Sequence, residues 1–341
     1  MAAPEDVGFH ARRPARWHWA EIVFWIAALG CGFAFPSRYL IMTEVVRLAL
    51  FALSLDLILG YAGIVSLGHA AFFGFGAYAA GLLALHGIIN EPLLALLAAG
   101  LGAAVLGFLT SFLVIRGADL TRLMVTLGIA LLLEALAERY SDITGGTDGL
   151  QGIVMAPIAN LFAFDIFGRT GFFYSLAVTF LLFLLARQIV HSPFGLSLRA
   201  IRNNPLRAAA VGIPVNRRLI AIYTVAAFYA GIAGALFTQT TALASLDVFD
   251  FNRSADLMLV IGGTGYLYGG LIGAVVFRLL QEGFSIITPQ YWQFWIGLVL
   301  VVIVLVGRAR LHRWVLWLPN LVITQFAGRR AAVAVPEGDA P

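Results

Sequence analysis

The sequence predicts an all-α polytopic membrane protein of about 8 to 10 transmembrane helices, and three observations predict it. Hydrophobic residues fill 61% of the 341 positions and charged residues only 12%. Mean hydropathy is +0.91, far above that of a water-soluble domain. The apolar residues are gathered into runs close to the roughly 20 that a hydrocarbon core about 30 Å thick requires.

Taken in order, a basic tail with Arg12, Arg13 and Arg16 precedes a first apolar run from Ala20 to Phe35, with Glu21 at its edge. Further runs cover Leu40 to Leu59, Ile64 to Leu85, Leu93 to Ile115, Leu123 to Ala137, Phe172 to Ile189 and Leu219 to Leu243. The last are Ala255 to Gly265, which is short, then Gly270 to Ile287 and Trp292 to Val306. The connections alternate in charge as the positive-inside rule requires. The tail to Arg16, the turn with Arg116 and Arg122, the stretch from Arg187 to Arg218, and the end with Arg308, Arg310 and Arg313 fall on one side, expected to be cytoplasmic. Glu91, Asp142, Asp148, Asp165, Asp247 and Asp250 mark the other side, with Arg38, Arg139, Arg169 and Arg253 as sparse company. If residues 255–287 dip in and return, parity is unchanged, so eight and ten spans both stand and both termini are expected to be cytoplasmic. The expected organisation is a basic tail over 1–19, a transmembrane domain over 20–307 with a cytoplasmic loop at 191–218, and a cytoplasmic tail over 308–341.

Composition excludes several chemistries. All 22 of the Lys+Arg positions are Arg, so no P-loop lysine exists and the chain cannot hydrolyse ATP by that route. No ATPase site, no enzyme activity and no cofactor are expected; any ATP energy comes from a partner. The single cysteine, Cys31, leaves no intrachain disulfide and no cysteine metal cluster. Ala28-Leu29-Gly30-Cys31 loosely suggests a lipoprotein cleavage site, but the polytopic remainder favours an uncleaved span and a helix-packing cysteine. Six scattered histidines lack ligand spacing, so no metal site is expected, and nothing arranges a nucleophile with a base.

Two regions, Gly60 to Gly81 and Gly262 to Gly273, are too rich in glycine for plain continuous helices. Irregular backbone at membrane depth survives only where protein or a water-filled cavity satisfies it, and such breaks in both halves point to a translocation pathway and an internal repeat. Close helix packing through small residues, as in Gly76 and Ala80, is the competing explanation. Ionisable groups within apolar runs are functional suspects: Glu44, Arg47, Asp56, His69, Glu134, Asp256, Arg278 and Glu282. Glu44 with Arg47, and Arg278 with Glu282, are spaced to share a helix face as ion pairs. Asp56 and His69 flank the first glycine-rich break, where a cavity role and a hydrogen-bonded packing role both stand. In the longest outward connection, Thr144 to Gly149 has the composition of a tight turn whose Thr hydroxyls cap neighbouring backbone.

The stretch Phe194 to Ile213 carries no acidic residue and reads as short surface helices. Pro205 is placed to open the second, with Asn203 or Asn204 as its cap and Gly212 as its left-handed end. An ordinary positive-inside loop is the plainer alternative.

This stretch, with Arg199, Arg202, Asn203, Pro205, Arg207 and Gly212, resembles the cytoplasmic coupling loop of ABC importer permeases for branched-chain amino acids. Leu53-Ser54-Leu55-Asp56-Leu57-Ile58-Leu59-Gly60-Tyr61-Ala62-Gly63 with Ser66-Leu67-Gly68-His69-Ala70-Ala71-Phe72-Phe73-Gly74 is similar to the early pathway segment of the LivM-type subunit. Thr144-Gly145-Gly146-Thr147-Asp148-Gly149-Leu150 and Gly262-Gly263-Thr264-Gly265-Tyr266-Leu267-Tyr268-Gly269-Gly270 resemble two further signatures. Three departures stand out: Ala209 replaces a frequent Glu, Pro205 replaces a common acidic residue, and Tyr268-Gly269-Gly270 replaces Trp-Gly-Pro.

The resemblance implies a permease subunit of the bacterial inner membrane that imports branched-chain amino acids or related small polar solutes. Its implied partners are a second homologous permease, cytoplasmic ATP-binding subunits, a periplasmic substrate-binding protein and membrane lipid; no nucleic acid is expected. Asp56, Gly63, Ser66, Gly68, His69, Gly262, Gly263 and Thr264 would line the pathway. The loop with Thr144, Gly146, Thr147 and Asp148 would serve as a gate or docking surface. Permeases for urea, short amides or aromatic acids look similar. From another class, an ion-coupled secondary transporter would use Asp56, His69, Glu134 and Asp256 as a relay.

Overall fold

The computed structural model describes residues 19–117, 119–158, 161–165, 167–249 and 262–306. The two tails, Arg253, Asp250, Asp256 and most of the run expected from Ala255 to Gly265 lie outside the described residues. Twelve α-helices occur among the described residues, joined by turns, with only two isolated bridge pairs.

The first helix, α1 (Trp19–Ala34), ends before Pro36, whose ring cannot continue it. Helix α2 (Tyr39–Asp56) runs on through a π-helical turn, Leu57–Tyr61, giving a rod roughly 34 Å long at 1.5 Å per residue. The chain is then non-helical until α3 (Ala70–Leu85), so the run expected to start at Ile64 starts six residues later. Helix α4 (Pro92–Arg116) is opened by Pro92 and by Glu91, whose Oε2 accepts the Leu94 N–H at 2.8 Å. Helices α5 (Asp119–Arg139) and α6 (Ser141–Thr144) lead to the long connection, which α7 (Arg169–His191) closes. Two short helices follow, α8 (Pro193–Asn203) and α9 (Pro205–Ala210), then α10 (Val215–Thr241), α11 (Leu267–Ile287) and α12 (Trp292–Val306).

Helices α4, α5, α7, α10 and α11 are each long and apolar enough to cross a membrane, and α1 and α3 are apolar but shorter. Helix α2 carries Glu44, Arg47 and Asp56 within its length. These elements make the chain a multi-pass all-α membrane protein.

The chain divides into two compact units at Val276 and Phe277. In the first, α10 is central: 72% of its most apolar stretch is buried, against 17% for α5. Its seam with α3 and α4 is built from small residues. A Cβ on Gly76 would strike the backbone of Gly231, one on Gly234 the backbone of Phe73, and one on Gly107 the Cβ of Ala227. In lipid no hydrophobic effect separates helix from helix, so this close approach, with its dispersion contacts, holds the seam. Polar ties add to it and also join α10 to α7. Thr238 Oγ1 donates to Ala77 C=O at 2.9 Å, Tyr229 Oη to Leu182 C=O at 2.9 Å, and Gln239 Nε2 to Pro92 C=O at 2.8 Å. Helix α1 joins α7 through the Glu21 and Arg187 ion pair at 2.6 Å and through Trp25 against Phe180 and Phe183. In the second unit, Phe284 of α11 stacks on Trp295 of α12, centroids 6.1 Å apart.

The glycine-rich region from Gly60 to Gly81 therefore divides between the two readings. Residues 62–69 form a true break, whereas Gly74, Gly76 and Gly81 sit inside continuous α3 and serve packing.

Candidate functional site

Helix α8 follows α7 with one residue between them, Ser192, whose Oγ accepts the Gly195 N–H at 3.4 Å while Pro193 sets the first turn. Gly195 permits the sharp bend, since a Cβ there would run into Val190 C=O. Helix α9 is capped as its sequence predicts. Asn204 Oδ1 accepts the Arg207 N–H at 3.0 Å and Pro205 is the first helical residue. At its end Gly212, with φ +86°, donates to Ala209 C=O at 2.9 Å and Ile213 donates to Ala208 C=O at 3.1 Å. That pair of bonds is a Schellman termination. Leu198, Ile201 and Ala208 face inward and are buried, while Leu196, Leu206, Arg207 and Val211 are exposed, as is Asn203.

The arginines of α8 turn toward the end of α2. Arg199 lies over the Tyr61 ring, 5.4 Å from its centroid, and Arg202 Nη1 donates to Gly60 C=O. That carbonyl is accessible because of the π turn. Ile64, whose N–H would close an α-turn on Gly60, donates instead to Ile58 C=O at 2.9 Å. One turn earlier Asp56, fully buried, accepts the Gly265 N–H at 2.7 Å through Oδ1. Gly60 has to be glycine, because a Cβ would overlap the Asp56 carboxylate and the Gly265 nitrogen. Gly63, Gly263 and Gly265 adopt φ of +72°, +114° and +83°, where an L side chain is strained. Thr264 sits between the latter two in the turn that precedes α11, and Gly262 packs against Gly269 of the same segment. Asp56, Gly63, Arg199, Arg202 and Gly265 thus converge at the α8 end of the first unit.

Ser66, Gly68 and His69 complete the break and lean on α5 and α2. Leu67 N–H donates to Thr126 Oγ1 at 3.2 Å, and a Cβ on Gly68 would strike the Thr126 carbonyl. His69 is fully buried, stacked on Phe51 with centroids 5.7 Å apart, and its Nε2 lies 3.0 Å from Ser54 Oγ. Ser54 spends its own proton on Phe51 C=O at 2.6 Å, which assigns the hydrogen of the His69 contact to Nε2.

The Thr144 to Gly149 signature lies at the other end of the same bundle. Thr144 Oγ1 donates to the carbonyls of Ala137 and Tyr140 and accepts the Gly146 N–H at 3.3 Å, so its hydroxyl does cap neighbouring backbone. Gly145, Gly146 and Gly149 all have positive φ, and residues 146–148 form a 3₁₀ turn that carries Thr147 and Asp148. Leu150 N–H then donates to Ala244 C=O at 2.8 Å, fastening the turn to the chain after α10. Close by is a cavity of about 370 Å³ whose lining includes Thr43, Asp165, Gln239, Thr240 and Thr241. Sequence reasoning singled out none of these five for a site. Their signal was a polar triplet, Gln239-Thr240-Thr241, inside the apolar run from Leu219 to Leu243. Arg47 reaches this triplet too, donating to Thr240 Oγ1 at 2.6 Å while its guanidinium lies 4.9 Å from the Phe237 centroid. In the second unit Arg278 donates to Gln281 Oε1 at 2.9 Å.

Among the described residues no three His, Cys, Asp or Glu side chains gather as metal ligands. The arrangement joins backbone to backbone through glycines and arginines.

Known proteins agree with this reading. The family described as the branched-chain amino acid transport system permease component matches residues 38–304. The high-affinity branched-chain amino acid transport system permease protein LivM of Escherichia coli is 28% identical over 258 residues, covering 68% of this chain and 60% of that protein. A probable branched-chain amino acid transport permease protein LivH of Methanocaldococcus jannaschii is 30% identical over 245 residues, 69% of this chain and 76% of the relative. The autoinducer 2 import system permease protein LsrD of Escherichia coli is 29% identical over 285 residues, 80% of this chain and 83% of the relative. No solved structure matches. With a family match spanning most of its length, glycine breaks joined to a paired short-helix loop, and an all-α multi-pass fold, the chain belongs to the branched-chain amino acid transport permease family of ABC systems, as a LivM-type permease.

Proposed function

We propose that the chain is the transmembrane subunit of an importer that moves branched-chain amino acids or related small polar solutes inward, energised by partner ATPases. The observation that carries this reading is the α8 and α9 pair: two capped, rigid short helices that present Leu196, Leu206, Arg207 and Val211 to solvent. Such apolar side chains on a polar connection mark a protein contact, here the cleft of a cytoplasmic ATP-binding subunit. In this account Arg199, Arg202, Asn203, Pro205, Arg207 and Gly212 belong to the coupling element, Arg199 and Arg202 on its side toward α2, and residues 191–218 with both termini face the cytoplasm of a bacterial inner membrane.

A second, homologous permease would complete the pathway, and a periplasmic binding protein would dock on the loop with Thr144, Gly146, Thr147 and Asp148. The solute would pass the break at Asp56, Gly63, Ser66, Gly68 and His69 and its counterpart at Gly262, Gly263 and Thr264. The break before α3 and the turn before α11 support an internal repeat of broken segments. Relatives named for branched-chain amino acids support that solute class, and relatives named for ribose and autoinducer 2 import extend it to other small polar solutes.

The chain purified with its partners and reconstituted into proteoliposomes tests this. Labelled leucine is expected to accumulate only with ATP at the ATPase face. Uptake sustained by a proton or sodium gradient without any ATPase contradicts it and restores the ion-coupled carrier, with Asp56, His69, Glu134 and Asp256 as relay.

A further inference from the structure

Beyond docking a partner, we propose that Arg202 is a positioning residue that ties α8 to both glycine breaks, so that movement of the coupling pair reaches them through one guanidinium. The inference rests on the importer reading and adds the route by which force enters the membrane domain.

The first break meets Arg202 directly, because the π turn leaves Gly60 C=O to accept from Nη1. The second lies beside the same atom without a hydrogen bond to it: a Cβ placed on Gly265 would lie 2.9 Å from Arg202 Nη1 and 3.2 Å from Gly60 C=O. Asp56 closes the triangle by holding the Gly265 N–H at 2.7 Å. Two glycines are needed for these backbones to approach, since a Cβ on Gly60 would overlap the Gly265 nitrogen and Gly265 has φ +83°. Arg199 braces the next residue, Tyr61, from one turn away on α8. Arg207 of α9 makes no such contact in its cap, which uses only its backbone N–H. The two α8 arginines thus contact the end of α2 while staying exposed, and Arg207 with the exposed apolar residues makes no such contact.

A planar, always-charged fork is suited to this task, because it can hold a carbonyl while lying flat against a second backbone. Pushing α8 then moves the end of α2 and the turn before α11 together. Without Arg202, α8 would still be docked by Leu198 and Ile201 but would slip relative to the breaks.

The test uses the reconstituted complex with labelled leucine as probe, reading uptake and ATP hydrolysis on the same preparation. Arg202→Ala is expected to lower leucine moved per ATP about tenfold while hydrolysis changes by less than about twofold, a loss within the usual range of coupling energies. Arg202→Lys is expected to recover part of the ratio. An unchanged ratio in Arg202→Ala, or a parallel fall in uptake and hydrolysis as the ATPase dissociates, overturns the proposal.

Arg202→Lys, which keeps the charge at the same site, guards against misfolding, and a ratio there no better than that of Arg202→Ala overturns the proposal. A wild-type complex that takes up no leucine with ATP would instead overturn the importer reading beneath it.

Discussion

At the scale of single residues, the ends of the short helices were the most legible part of the chain. Pro205, Asn204 and Gly212 each take the position that their backbone chemistry dictates, because capping is decided within a few residues. Asn204→Ala removes the bond to the Arg207 N–H and is expected to cost α9 about 1 kcal/mol, read as roughly fivefold faster hydrogen exchange at its first amides. Unchanged exchange there would show that the surrounding fold, and not the cap, holds α9. Asp56 and His69 were visible as costly polar groups in an apolar run, but their partners were not. Gly265 lies 209 positions from Asp56, and no local pattern encodes a bond that only the bundle creates. The direction of Arg199 and Arg202 was hidden for the same reason: charge places them on one side of the membrane without saying which way they turn.

At the scale of elements, hydropathy located apolar helices, five of them long and apolar enough to cross a membrane among the described residues, but not the points where helix stops. The run beginning at Ile64 is apolar up to its glycines, and apolarity alone cannot distinguish a buried non-helical strand of chain from the start of a helix. Packing settles it, since Gly68 lies against the Thr126 carbonyl and leaves no room for a regular turn with side chains. The glycines of α3 and α10 obey a different rule, that of small residues at a helix seam. Gly76→Leu is expected to part α3 from α10 and to lower thermal stability by several degrees in detergent, about 2 kcal/mol or more for an overpacked contact with backbone. Gly128→Ala on α5, where nothing lies within 4 Å of the new methyl, is expected to leave the melting temperature unchanged or slightly raised. Equal losses in the two variants would contradict the seam. Thr238→Val should cost only about 0.6 kcal/mol, the usual size of one interhelical hydrogen bond in lipid, measured by the same melt.

At the scale of the whole molecule, the chain combines a rigid small-residue core around α10 with glycine breaks gathered at the α8 end. That division suits a conduit: the core resists deformation, and the breaks are where modest forces can change backbone direction. Composition excluded a P-loop at once, because a chain with no lysine has none to offer a phosphate. The proposed partner surface was expected only from the resemblance of residues 194–213 to a coupling loop, and the exposure of Leu196, Leu206 and Val211 came from the structure. Leu206→Glu, which places a charge at the exposed leucine of α9, is expected to weaken ATPase retention about tenfold in co-purification while leaving the permease monodisperse. Full retention would place the ATPase contact elsewhere.

In the proposed importer, energy enters through the α8 and α9 pair and not through an ion gradient. Leucine uptake into proteoliposomes holding the complete complex, with ATP supplied and every ion gradient collapsed by ionophores, tests it most directly. Undiminished, ATP-dependent accumulation is the predicted result, and uptake that follows the gradient and ignores ATP would contradict it.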